Sequence, residues 1–249
     1  ADGLIATNHH CVAGYLQYLS DAENDRNKDG YLAGTQADEA WVGPGSEVQV
    51  VQKISDVTER VNAGVKRRTN DAAREALVSK NTKQIVADCE ADRPDMQCRV
   101  ASYFGGAEYR LIEKRRLKDV RLVYAPPDSV GAFGGETDNW MWPRHGGDFA
   151  LLRAYVAPDG ATAEHAEDNV PYAPPHHLEV NPEGANPGAF VMVAGYPGRT
   201  YRFRQARSMR FARDESYPFS IALSLEMREI LEDHAGRDAE AKARLTAHL

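Results

Sequence analysis

The side chains best suited to chemistry stand together near the start of the sequence, in the run Gly3-Leu4-Ile5-Ala6-Thr7-Asn8-His9-His10-Cys11. Three readings are open for them. His10, with His9 as its neighbour, is the candidate to take the proton from a serine hydroxyl, provided a carboxylate elsewhere in the chain holds its ring in the right tautomer. His9, His10 and Cys11 are also common metal ligands, so a metal site is the second reading. The third is two turn histidines beside a structural cysteine.

A base of this kind needs an orienting carboxylate, and the strongest candidate is Asp148. It follows Gly146-Gly147 and precedes the apolar run Phe149-Ala150-Leu151-Leu152, so it sits at the mouth of an expected strand. Buried there beside an imidazole, it would accept the ring N–H and stabilise the imidazolium. An aspartate opening a strand is ordinary turn chemistry on its own; the argument rests on pairing it with His10. The histidines are themselves placed by a short apolar strand, residues 4–6, and by a short helix expected over residues 12–19.

The elements between the two follow in order. Asp25-Arg26-Asn27-Lys28-Asp29-Gly30 matches the first half of a calcium-binding loop, but Gln36 stands where the closing glutamate belongs, which favours a turn without metal. Residues 47–54 alternate and are valine-rich, as a strand does. Asp56 and Glu59 have capping-box spacing and open a helical region expected over residues 57–88, with Val57, Val61, Val65, Ala73, Leu77 and Ile85 near helical spacing. Strands are expected at residues 99–104 and 108–113, paired through Gly105-Gly106, and at residues 120–125, 150–156 and 190–198. From Tyr217 the pattern is helical and amphipathic. This order suits a mainly β protein, a barrel carrying helical insertions.

Composition narrows the function. Hydrophobic residues make up 42% and charged residues 27%, as in a soluble globular protein. The net charge of -7 speaks against nucleic acid as a partner. No apolar run approaches the ~20 residues needed to cross a bilayer, so no membrane role is expected. Of the three cysteines, Cys89 and Cys98 flank a short polar loop that a disulfide closes easily, which would imply an oxidising compartment. Cys11 is then the odd one, free or paired outside this sequence. With no initiator methionine and an expected strand at its start, the sequence is read as a processed or truncated piece.

Thr7-Asn8-His9-His10-Cys11, taken with the run from Phe133-Gly134-Gly135-Glu136-Thr137-Asp138-Asn139-Trp140-Met141-Trp142-Pro143-Arg144-His145 to Gly146-Gly147-Asp148-Phe149, resembles the bacterial dipeptidyl-peptidases seven and eleven. These are trypsin-clan serine exopeptidases with a helical domain inserted into a double β-barrel. The resemblance covers nearly the whole chain. It implies the first, trypsin-like β-barrel over residues 1–213, with a helical insertion at about residues 55–88, and the beginning of the α-helical domain over residues 214–249. It implies His10 as base, Asp148 as its partner, and Asn139 with Trp140 holding the free N-terminus of an oligopeptide substrate. An amide oxygen can accept from an ammonium group, and an indole face attracts a cation; read from the residues alone, Trp140 and Trp142 are core aromatics and Asn139 a turn residue.

The sequence departs from the family in one respect: no Gly-x-Ser-Gly occurs in it. In the family that serine lies downstream, past the helical domain, so the sequence is expected to be an N-terminal portion that is inactive alone. The resemblance further implies an upstream cysteine as partner of Cys11, a homodimer as the full-length protein, a periplasmic or secreted bacterial location, and no metal or other cofactor. Two alternatives remain: a non-catalytic barrel that binds peptide N-termini through Asn139 and Trp140, and a metal-binding protein that uses the His-His-Cys run.

Overall fold

The apolar run after Gly3 forms β1 (Leu4–Thr7), and the chain turns from it directly into α1 (His9–Tyr18). The computed structural model describes residues 2–21, 23–135, 145–192, 203–237 and 239–245. The chain divides into two units, Ala1–Leu19 with Arg26–Pro174, and Ser20–Asp25 with Pro175–Leu249.

In the first unit, α1 is followed by α2 (Arg26–Asp29), β2 (Tyr31–Leu32), β3 (Ala40–Trp41) and β4 (Val48–Asp56). Then come α3 (Thr58–Val61), α4 (Asp71–Glu90), β5 (Met96–Tyr103), β6 (Glu108–Leu117), β7 (Asp119–Ala125), α5 (Asp128–Gly131), β8 (Ala150–Val156) and β9 (Val170–Pro171). The strands make two antiparallel sheets. One runs β1-β8-β7-β2, with β3 also on β7 and β9 on β8; the other runs β4-β6-β5. Only Lys118 separates β6 from β7, so the chain passes from one sheet to the other at a single residue, between the fully buried Leu117 and Asp119.

The core forms where α1 lies on the larger sheet. Val12 and Leu16, one helical turn apart and fully buried, pack with Val120 and Leu122 of β7 and Ala150 and Leu152 of β8. Burying an aliphatic side chain of this size contributes about 1.5–3 kcal/mol, which holds the helix to the larger sheet. A second core joins α4 to the smaller sheet through Ile85, Cys89, Cys98 and Leu111. Cys89 and Cys98 are bonded there, tying the end of α4 to β5. Arg93 braces the corner, donating from Nε to Cys89 O at 2.7 Å and from Nη1 to Glu113 Oε2 at 3.0 Å.

The structure differs from the expectations in several elements. The helix expected over residues 57–88 is two helices. Asp56 Oδ1 does accept from Thr58 N at 2.9 Å, but α3 lasts a single turn. Gly64 takes the left-handed φ of +81°, and Asn81 of α4 donates to both Val61 O and Ala63 O, closing the turn. Asn70 then caps a fresh start, its side chain accepting from Ala73 N at 2.8 Å. Residues 26–29, in the stretch that resembled a calcium loop, form a single helical turn closed by Gly30 N on Arg26 O. The expected barrel is matched only as antiparallel sheet: among the described residues the larger sheet is open and does not return on itself. β2 and β3 are two residues each, too short to close it. Of the strand expected over residues 190–198, the first three residues are irregular and exposed, and the rest lie outside the described residues.

The second unit is helical, with α6 (Ala206–Phe211), a π-helical turn (Ala212–Ser216), α7 (Tyr217–Ala235) and α8 (Ala239–Leu245). Pro218 lies inside the otherwise continuous run from α6 to α7, where it lacks an N–H and crowds the preceding turn. The wider π turn just before it relieves that crowding. No helix among the described residues is long and apolar enough to cross a membrane.

Candidate active site

The site is assembled by strand register. β1 and β8 are antiparallel, with Thr7 opposite Ala150. The residues following Thr7 therefore meet those preceding Ala150, and a sequence separation of 138 residues closes to hydrogen-bonding distance. His10 Nδ1 lies 2.8 Å from Asp148 Oδ2, and His10 N donates to Asp148 Oδ1 at 3.1 Å. Asn8 Nδ2 donates to Asp148 O at 3.1 Å and to its Oδ2 at 3.3 Å.

This arrangement explains where α1 begins. The sequence suggests a turn at His9-His10-Cys11 and a helix from residue 12; instead the helix starts at His9. Asn8 stands at the N-cap with extended dihedrals but makes no capping hydrogen bond of its own. The cap is Asp148, whose carboxylate sits over the free N–H groups of the first turn, where a negative charge is favoured. Burial pushes the Asp148 carboxyl up, but the His10 N–H, the His10 ring and the His9 N–H together hold it below its ordinary value. The carboxylate is thus ionised at neutral pH and accepts from Nδ1–H. That fixes the tautomer with the lone pair on Nε2, and the His10 side chain is 71% exposed. The pair can do what an oriented base does: receive a proton at Nε2 while the carboxylate stabilises the resulting imidazolium.

His9 takes a different course. It is buried, with Nε2 at 3.3 Å from Asp128 Oδ1 at the start of α5. The adjacent histidines thus face separate, partly exposed carboxylates, the His9 ring itself being buried and the His10 ring in solvent. Cys11 is exposed and carries no disulfide among the described residues. Asn139 and Trp140 lie outside the described residues. Cys89 of α4 and Cys98 of β5 join that helix to the smaller sheet and take no part here. No group of three or more His, Cys, Asp or Glu side chains among the described residues is arranged to hold a metal ion.

Sequence reasoning missed a second polar centre. Asp119, fully buried, accepts from Arg121 Nε at 3.1 Å and Nη2 at 2.7 Å, from Asn169 Nδ2 at 2.9 Å, and meets His165 Nδ1 at 3.0 Å. Burial raises its carboxyl, and the bonds from Arg121, Asn169 and His165 more than offset this and leave it below its ordinary value. Next to it, buried Glu39 accepts from Arg153 Nε at 2.9 Å and from Tyr155 OH at 2.6 Å. Burial and the Glu39 carboxylate push the Tyr155 phenol up to about 12. The only signal in the sequence was the charged pair Asp119 and Arg121 pointing to one face of a strand otherwise apolar there.

An imidazole fixed on one nitrogen by an ionised carboxylate and open on the other is an arrangement that nucleophilic hydrolases use as their base. Comparison with known proteins gives the class. The family described as Peptidase S46 matches residues 1–249. An Asp/Glu-specific dipeptidyl-peptidase of Shewanella putrefaciens is 42% identical over 216 residues, covering 87% of this chain and 29% of that protein. Dipeptidyl-peptidase 7 of Porphyromonas gingivalis is 39% identical over 201 residues, covering 81% of this chain and 28% of that protein. The crystal structure of Porphyromonas endodontalis DPP11 in complex with the dipeptide Arg-Asp superposes with a TM-score of 0.77 at 34% identity, over 99% of this chain and 36% of that one. The chain belongs to the Peptidase S46 family and spans about a third or less of the length of these relatives.

Proposed function

We propose that this chain contributes the base and its orienting carboxylate to a serine dipeptidyl-peptidase that releases dipeptides from the N-terminus of oligopeptides. The observation that carries the proposal is the 2.8 Å contact of His10 Nδ1 with Asp148 Oδ2, with the His10 ring open to solvent. His10 takes the proton of a serine hydroxyl as that oxygen attacks the scissile carbonyl. It then returns the proton to the leaving amine and repeats the cycle with water to release the acyl group. Asp148 holds the tautomer throughout. No metal is needed for these steps. Asn139 and Trp140 receive the substrate's ammonium group, which sets the cut two residues from the end. The names of the relatives, dipeptidyl-peptidases all, support this reading of the reaction.

The nucleophilic serine, in this proposal, comes from a part of the protein beyond these 249 residues, which alone do not hydrolyse peptides. The open six-stranded sheet is the greater part of the first barrel of a trypsin-like double barrel, within residues 1–213, and residues 214–249 begin a helical domain inserted between the barrels. The Cys89–Cys98 disulfide supports a periplasmic or secreted location, and the full-length protein is a homodimer.

The test is an assay of the full-length protein on dipeptide–chromophore substrates with free and with acetylated N-termini. Free termini are cleaved and blocked ones are not, and His10→Ala lowers kcat by about 10⁶-fold. Equal cleavage of blocked substrates would remove the exopeptidase assignment, and retained turnover in His10→Ala would move the base elsewhere.

A further inference from the structure

We infer that His9 is a positioning residue of this active site: it fastens α5, and through α5 the loop that carries Asp148, to the N-terminus of α1. The inference rests on the reading of His10 and Asp148 given above.

The contacts form a closed circuit. The His9 side chain is 3% exposed and lies flat against Gly131, where an added Cβ would stand 2.3 Å from His9 Cγ and 2.5 Å from its Nδ1. No side chain fits there, so the glycine belongs to the ring's seat. Gly131 and Val130 both donate to Pro127 O, which makes α5 one rigid turn. At the other end of the same ring, Nε2 faces Asp128 at 3.3 Å. From α5 the circuit continues to the loop before β8, since Gly147 N donates to Val130 O at 2.8 Å. Phe149 N then donates to Gly147 O at 2.8 Å, a three-residue turn with Asp148 at its centre. Asp148 closes the circuit on the N–H groups of His9 and His10 and on the His10 ring.

Two adjacent residues thus hold two short segments, α5 and the residues just before β8. His10 meets the segment that holds Asp148, and His9 meets α5. Moving α5 moves Val130, hence Gly147, hence the carboxylate that orients the base. A shift of ~1 Å in such a group is enough to cost about 100-fold in turnover. A histidine that merely filled a cavity would affect stability without touching kcat.

The experiment is a double-mutant cycle on the full-length protein, read by kcat, KM and thermal unfolding on a free-N-terminus dipeptide–chromophore substrate. Gly131→Ala, whose methyl displaces the His9 ring, lowers kcat ~100-fold with KM nearly unchanged. His9→Ala lowers kcat ~10- to 100-fold by the same route. The double variant is no worse than His9→Ala, because the methyl now has room. His9→Gln, which can place an amide nitrogen near the Nε2 position, recovers part of the loss. Multiplying effects in the double variant, or a His9→Ala protein that melts earlier but keeps its kcat, would overturn the inference. So would a His9→Ala that fails to fold beside a His9→Gln that is folded and fails to lose any turnover. His10→Ala is measured alongside. If it keeps turnover, the reading of the dyad falls; if it is inactive while His9→Ala keeps kcat, only the role of His9 falls.

Discussion

Two histidines in the first unit present Nδ1 to an aspartate at nearly the same distance, His10 to Asp148 at 2.8 Å and His165 to Asp119 at 3.0 Å. Both carboxyls are held below their ordinary value. Distance and charge therefore do not separate them; what surrounds each pair does. Asp119 has no exposed side-chain surface and is already paired with Arg121, whose guanidinium lies 3.8 Å above the Tyr155 ring. His165 stacks on Trp41, ring centroids 4.8 Å apart and 9° from parallel. There the imidazole is one more donor to a carboxylate that other groups satisfy. Asp148 has no arginine partner among the described residues. Its donors are the N-terminus of α1, Asn8 and His10, and its histidine is the exposed member of the pair. A His–Asp contact is equipped to act as a base only where the second ring nitrogen is open and the carboxylate's charge is left for the imidazolium.

The largest expected effect tests that distinction through turnover. Asp148→Asn in the full-length protein should lower kcat by about 10⁴-fold, because the amide favours the wrong tautomer of His10. Its unfolding temperature should change little, since the amide keeps one oxygen to accept from the first N–H groups of α1. Asp119→Ala should do the reverse. It leaves Arg121 buried without its counter-charge, which costs about 3–5 kcal/mol of stability, read by chemical denaturation, while kcat of the folded protein stays within a few-fold. Comparable losses of turnover in the two variants would erase the difference between the pairs.

Much of this was visible in the sequence, and the exceptions have physical causes. β7 and β8 announce themselves as short apolar runs, and Asp148 stands where its glycines and the following strand suggest. The start of α1 was hidden because its cap is 140 residues away: Asn8 is a good capping residue by type, yet it donates to Asp148 instead of receiving from the helix. The break between α3 and α4 depends on Asn81 reaching back to Val61 and Ala63, a contact that periodicity does not encode. The Asp119 centre draws on β7 and on His165 and Asn169 of the loop before β9, so no local motif spells it. Burial of His9 beside solvent-exposed His10 follows from the turn of the helix, one residue being rotated by about 100° from the next. That rotation could be read only once α1 was known to start at His9.

The smallest effect concerns acid. For Asp119 and Asp148 alike the folded-state carboxyl lies below the ordinary value of 3.8, so each contributes stability that is fully present above that pH and is lost as the pH falls towards the folded value. Within that window one such group gives a slope approaching 1.4 kcal/mol per pH unit. The two differ in screening. Asp119 is sealed from solvent, whereas the Asp148 side chain is 38% exposed, and water weakens what its neighbours can do for its charge. Replacing Asp119 by Asn should therefore flatten the fall in stability below about pH 4 visibly, and Asp148→Asn should flatten it much less. Denaturation midpoints of the parent and both variants between about pH 2 and 6 give the comparison directly, since every other carboxylate cancels between them. A larger flattening from Asp148→Asn would mean that the exposed pair, not the sealed one, carries the greater electrostatic stabilisation, and the carboxylate of the base would then be a structural anchor as much as a partner of His10.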